Sequence, residues 1–176
     1  LKASDIRNRA LLLVFFELGL TSAEVRSLSH ESFVDGGRGK GASIRITSGG
    51  VNQLRTMVVS DEVRSAVASW LQVRATAGKH AMTPALFSSQ TGNPLTDENL
   101  LVLVRAHLLA ASRAAGQGDP VRAGPQIVRN TRLVQWMLSG MPQPEVALRA
   151  GLKNVRGLVH LRQHLPDGPR LELARA

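Results

Sequence analysis

The sequence predicts a mainly α-helical domain with one small antiparallel three-stranded β-sheet, an α+β architecture. Three observations carry that expectation. Most apolar residues recur at spacings of three and four between helix-capping residues. One segment, Ser43-Ile-Arg-Ile-Thr47, instead alternates polar and apolar positions, as a half-buried strand does. Glycine and proline punctuate the joins between these segments.

In chain order, Ser4 is expected to cap a helix through Ile6, Leu11, Leu13, Val14 and Phe15 that ends at Gly19. Thr21-Ser-Ala-Glu24 is a capping box: the Thr hydroxyl and Glu carboxylate each satisfy a free backbone N–H at the helix start. Strands are expected at Ser32–Asp35, Ala42–Thr47 and Arg55–Val59, with Ser48-Gly49-Gly50 and Asn52 turning the second into the third. Ser60 then caps a helix carrying Val63, Val67, Trp70 and Leu71, closing near Gly78. Gly92-Asn-Pro marks a turn, and Thr96 caps a long helix from Asp97 to about Ala115. After the link at residues 116–124, three helices with short breaks are expected. The first carries Ile127, Val128, Leu133, Trp136 and Met137, and stops at Gly140 because Pro142 and Pro144 prevent it from resuming. The second spans Glu145 to Ala150. The third starts near Asn154 and carries Val155, Leu158, Val159 and Leu161 among Lys153, Arg156 and Arg162.

A chain of 176 residues suits a single domain, here residues 1–176 with a tail from 165 to 176. Net charge is +9, unevenly placed: residues 1–100 carry +2 and residues 101–176 carry +7. Such a basic half points to an anionic partner, most often nucleic acid, against the plainer reading of an arginine-rich proteome. Aromatic residues make up only 3%, which argues against base stacking on single strands and for contact with the duplex backbone. There is no cysteine, hence no disulfide or thiolate metal site, and no apolar run approaches a membrane span. No metal and no cofactor is expected, and the localisation expected is cytoplasmic, associated with the nucleoid.

The residues from Pro125 to His164 resemble the C-terminal half of the tyrosine recombinase (phage integrase) catalytic domain, the DNA breaking-rejoining enzyme fold. There Pro-His-x-x-Arg opens one helix, a short helix ends in Leu-Gly-His, and the next bears a nucleophilic tyrosine. Upstream, Gly19-Leu20-Thr21-Ser22-Ala23-Glu24 matches the family's Gly-Leu-Arg-x-x-Glu. Residues Gly49 to Arg55 match its Gly-Lys-Gly-Asn-Lys-Glu-Arg hairpin. The likeness covers roughly residues 5 to 164. It implies an N-terminal DNA-clamping domain upstream, absent from this chain.

Of six catalytic positions that the resemblance implies, one is kept, Arg129. The first arginine is Thr21, the lysine Gly50, the first histidine Gln126 and the second Leu152. The tyrosine falls at Leu161 or, with a shift, His160, and the chain has no tyrosine at all. In the family, paired arginines grip phosphate oxygens as charge gathers there in the transition state, and losing one such donor typically costs about 10² to 10³ in rate. The expectation is therefore a catalytically inactive, recombinase-like protein with no enzymatic activity. His160 and His164, one turn apart, read as an exposed pair rather than as a nucleophile or metal ligands. Lys40 reads as a solvated charge.

The function this implies is binding of double-stranded DNA without strand cleavage, as an accessory or regulatory factor in integration or recombination of a mobile element. Candidate phosphate contacts are Arg129, Arg132, Lys153, Arg156, Arg162 and, from the sheet, Arg45 and Arg55. For Arg129 two readings stand: a phosphate ligand, or a clamp on backbone carbonyls in the core. Leu152 and Leu161 are expected to pack in the core. The alternative function is a protein-interaction module that docks on an active recombinase, or on a copy of itself, through Arg170–Ala176.

Overall fold

The computed structural model describes residues 2–37, 40–47 and 53–166, with Lys79 described by its backbone alone. Seven α-helices and a three-stranded sheet are found among them. They are α1 (Ala3–Leu18), α2 (Ser22–Ser27), β1 (Phe33–Asp35), β2 (Ala42–Ile46), β3 (Arg55–Val59), α3 (Asp61–Thr76), α4 (Gly78–Ala81), α5 (Asp97–Ala114), α6 (Pro125–Leu138) and α7 (Gln143–Arg149). Two 3-10 helices, His30–Ser32 and Val155–His164, complete the order.

The caps set several of these starts. Thr21 accepts the Glu24 backbone N–H while the Glu24 carboxylate accepts that of Thr21, as the sequence predicts. Ser60 and Thr96 likewise cap α3 and α5. Ser4 does not cap α1. Asp5 takes the backbone N–H of Lys2 instead, so the helix begins before Ser4 and places it in the first turn. The four-residue α4, which starts at Gly78 where the preceding helix is expected to close, is an addition to the expected order.

The sheet is antiparallel in the order β1-β2-β3, with Ile44 paired to Phe33 on one side and Met57 on the other. Its alternation decides its faces. Ala42, Ile44, Ile46, Met57 and Val59 are buried, whereas Val34, Arg45, Thr56 and Val58 face outward. The hairpin turn expected over Ser48–Asn52 lies outside the described residues, as does the tail from 167 on. The main core lies between α1 and α3, around Leu11, Val14, Phe15, Val67 and Trp70, with the Trp70 indole N–H donating to the Leu86 carbonyl at 2.7 Å.

Helix α6 packs across α1. Gly19 ends α1 at φ 56°, and a Cβ there would lie 3.0 Å from a Leu133 methyl and 3.2 Å from the Trp136 ring. The position therefore requires glycine both for its left-handed backbone and for the close approach of α6.

The last element departs from the α-helix the spacing suggests. Val155–His164 is a 3-10 helix, long for its kind. Val155, Leu158 and Leu161 recur every third residue, so three residues per turn stack them in one column against the core; an α-helix would splay them. The Asn154 side chain caps the Arg156 N–H at 3.0 Å and tightens the first turn. Gly157 leaves room for Leu152, whose methyl a Cβ would meet at 3.0 Å. Val159 falls on a neighbouring column and is half exposed.

Candidate nucleic-acid interface

The ends of α1, α2, β3, α6 and α7 meet around one buried carboxylate, Glu24, whose side chain is 1% exposed. Its Oε1 accepts from Arg55 Nη1 at 2.5 Å. Its Oε2 accepts from the Thr21 backbone N–H at 2.8 Å and the Thr21 hydroxyl at 3.1 Å. Arg129 Nη1 lies 3.7 Å from the same oxygen. Burial alone would raise the Glu24 carboxyl; hydrogen bonds from Arg55 and Thr21 and the charges of Arg55 and Arg129 outweigh it and hold the carboxyl below its ordinary range. Burial lowers the Arg129 guanidinium; the Glu24 carboxylate opposes that shift and the Arg55 charge adds to it.

Arg129 clamps backbone. Its Nη1 donates to the Gly19 carbonyl and its Nη2 to the Ala150 carbonyl at 2.8 Å, so one side chain ties the end of α1 to the end of α7. Arg55 does the same from β3: its Nε donates to the Arg149 carbonyl at 2.6 Å. Arg132 donates to the Glu17 carbonyl at 3.0 Å and lies over Phe16 and Trp136, 5.5 and 5.3 Å from the ring centres.

The candidate cations therefore divide. Both Nη groups of Arg129 and the Nε and Nη1 of Arg55 donate to internal acceptors in this structure, the contacts that the carbonyl-clamp reading of Arg129 expects. Arg132 is half-buried along α6. Lys153, Arg156, Arg162 and Arg45 are exposed, though Arg45 also reaches the Glu31 carbonyl at 3.1 Å. Arg156 and Arg162 stand two 3-10 turns apart, which places them on one column about 12 Å from end to end.

The positions matched to the recombinase catalytic set are placed as follows. Thr21 is the cap of α2. Gln126 is exposed in the first turn of α6 and donates to Asn130 at 2.7 Å. Leu152 is half-buried over Gly157, and Leu161 is wholly buried. Gly50 lies outside the described residues. Lys40, His160 and His164 are exposed, and among the described residues no cluster of three or more metal-ligating side chains occurs. The sequence predicts Glu24 as a helix cap; the structure adds its buried ion pairs with Arg55 and Arg129. The signal was available in the matched Gly-Leu-Arg-x-x-Glu and hairpin motifs, which retain Glu24 and Arg55 together.

No protein-family model matches this chain, and no curated protein matches it in sequence. Solved structures do share its architecture. The XerH site-specific recombinase, in a pre-cleavage complex with its difH substrate, superposes over 94% of this chain and 44% of its own, with TM-score 0.74 and 19% identity. XerA recombinase matches over 93% and 53%, with TM-score 0.73 and 20% identity. The Tn1549 transposon integrase, in complex with circular intermediate DNA, matches over 99% and 59%, with TM-score 0.72 and 18% identity. The fold is that of the tyrosine recombinase catalytic domain. The chain spans about half the length of these recombinases, and identity this low speaks for the recombinase fold alone. Among the described residues, no helix is long and apolar enough to cross a membrane.

Proposed function

We propose that this chain binds double-stranded DNA without cutting it, as a recombinase-like domain with an accessory or regulatory part in the integration or recombination of a mobile element. The observation that carries the non-cutting half is at the nucleophile position. Leu161 is 0% exposed in the core, and the chain contains no tyrosine to stand in for it. The other matched positions support the same reading. Thr21 is engaged with Glu24, Gln126 has no acid function at neutral pH, and Leu152 covers Gly157. For the binding half, support comes from the exposed cations Lys153, Arg156 and Arg162 on and before one 3-10 helix, in the half of the chain that carries most of the net charge. The DNA-bound state of XerH and of the Tn1549 integrase is consistent with that partner.

The test of the non-cutting half is incubation with a nicked suicide duplex followed by denaturing electrophoresis. The expected result is no protein–DNA adduct and no new strand ends. A covalent band that survives SDS overturns the proposal.

A further inference from the structure

Helix α5 gives little of itself to the core. Of its 18 residues only Leu100 and Val104 are buried, against six in the 16-residue α1. At 3.6 residues per turn, the line opposite those two runs through Glu98, Val102, Arg105 with Ala106, Leu109 and Arg113. Val102 is 63% exposed, Ala106 is exposed and Leu109 is half-buried, so an apolar stripe lies outward with an acid at one end and a base at the other. Asp97 pairs with Arg26 at 2.9 Å, whereas Glu98 pairs with no cation among the described residues. Arg113 gives its Nε and Nη2 to Asp119 at 2.9 and 2.8 Å, which fixes the guanidinium and leaves Nη1 unused.

The stripe is complementary to itself. Glu98 and Arg113 share a midpoint, between Arg105 and Ala106, and Val102 and Leu109 share the same one. A two-fold axis through that point brings acid to base and apolar to apolar at once, on both sides of the axis. Parallel copies would set Glu98 on Glu98 and Arg113 on Arg113. We propose that α5 is the seam of a two-fold dimer of this chain, in which the helices run antiparallel, Glu98 meets the partner's Arg113 and Val102 meets the partner's Leu109. Ala106 lets the helices approach at the axis, and Arg105 is the one unfavourable neighbour, a cation standing beside its own copy. A single helix pair is a small interface, so the dimer is weak. The seam needs no DNA, and it stands or falls apart from the duplex-binding reading.

Sedimentation velocity without DNA, from about 1 μM to 1 mM chain, measures the association. Glu98→Arg and Arg113→Glu each reverse one member of both ion pairs, and each is expected to raise the dissociation constant about tenfold. Mixed in equal amounts, the two variants are expected to associate again, within about threefold of the wild type, because in the mixed pair every acid again faces a base. Val102→Lys keeps both charged residues and is expected to weaken the pair by a similar factor, while Arg105→Ala is expected to tighten it about twofold or more. Melting temperatures of these surface variants are expected within about 2 °C of the wild type. Should Arg113→Glu fail to fold, the opposite shifts of Val102→Lys and Arg105→Ala decide. A wild type that stays monomeric to about 1 mM overturns the proposal, as does a mixture that stays monomeric. Association that Glu98→Arg and Val102→Lys leave unchanged runs through another surface, the tail from 167 on included, and overturns it too.

Discussion

Replacing Arg129 by alanine separates the two roles an arginine can have at this point of the recombinase fold. In this chain its Nη groups hold the carbonyls of Gly19 and Ala150, ends of two different helices, and its charge lies 3.7 Å from Glu24. Alanine leaves two carbonyls in the interior without their donor, at about 1–3 kcal/mol each. Glu24 keeps Arg55, so the ionic loss falls below the ~3–5 kcal/mol typical of a fully severed buried pair. The two carbonyls alone come to roughly 2–6 kcal/mol, a large share of the 5–15 kcal/mol that ordinarily separates folded from unfolded. For a domain of this size each kcal/mol moves the melting temperature by about 2–4 °C, so a fall of at least about 4 °C and up to about 24 °C is expected. Thermal melts followed by circular dichroism measure it, with urea titration as the equilibrium check. Arg129→Lys is expected to recover little, because one ammonium cannot span both carbonyls as the fork does. If Arg129→Ala melts within about 2 °C of the parent yet loses duplex affinity, the clamp reading is refuted and Arg129 is a phosphate ligand.

Two further outcomes follow from the same region. A carboxyl depressed in the folded state adds stability above its unfolded value, about 4.3, and that contribution disappears as pH falls through the folded value. Glu24→Gln is therefore expected to melt well below the wild type at neutral pH and to converge with it only as pH falls through the depressed folded value; a gap that stays constant into acid contradicts the charged cluster. Gly19→Ala places a Cβ 3.0 Å from Leu133 on a left-handed backbone, which together cost roughly 2–5 kcal/mol. A melting temperature unchanged by that substitution contradicts the close approach of α1 and α6.

Local chemistry was legible in the sequence, and long-range pairing was not. The caps at Thr21, Ser60 and Thr96 act within three residues, so the pattern alone reveals them. The sheet was legible for the same reason, since alternation around Ile44 fixes which face is buried. The start of α1 differs from the expectation because Asp5, three residues after Lys2, takes the free Lys2 N–H and moves the helix start ahead of Ser4. In the last helix the α-like reading leans on Val159 beside Leu158; the strict three-residue recurrence of Val155, Leu158 and Leu161 belongs to the 3-10 helix, which Gly157 and the Asn154 cap favour. At the site, Arg55 meets a carboxylate 31 residues away and Arg129 a carbonyl 110 residues away. Charge and spacing alone do not distinguish those arginines from Arg156 or Arg162, which remain exposed; only the matched motifs do. Composition gave the charge; only the packing shows which cations are left to face outward.

The central claim is that those outward cations hold the duplex backbone, and salt titration tests it most directly. Gel shifts of the domain on duplex DNA, from low to moderate salt, are expected to give a straight log–log plot. Three or four contacts among Lys153, Arg156, Arg162 and Arg45 set its slope at about −2.7 to −3.6. Arg156→Ala is expected to flatten the slope by about one unit and to weaken binding to all sequences alike, with an unchanged melting temperature. No duplex binding at low salt, by this chain and by a longer one that includes upstream residues, contradicts the account.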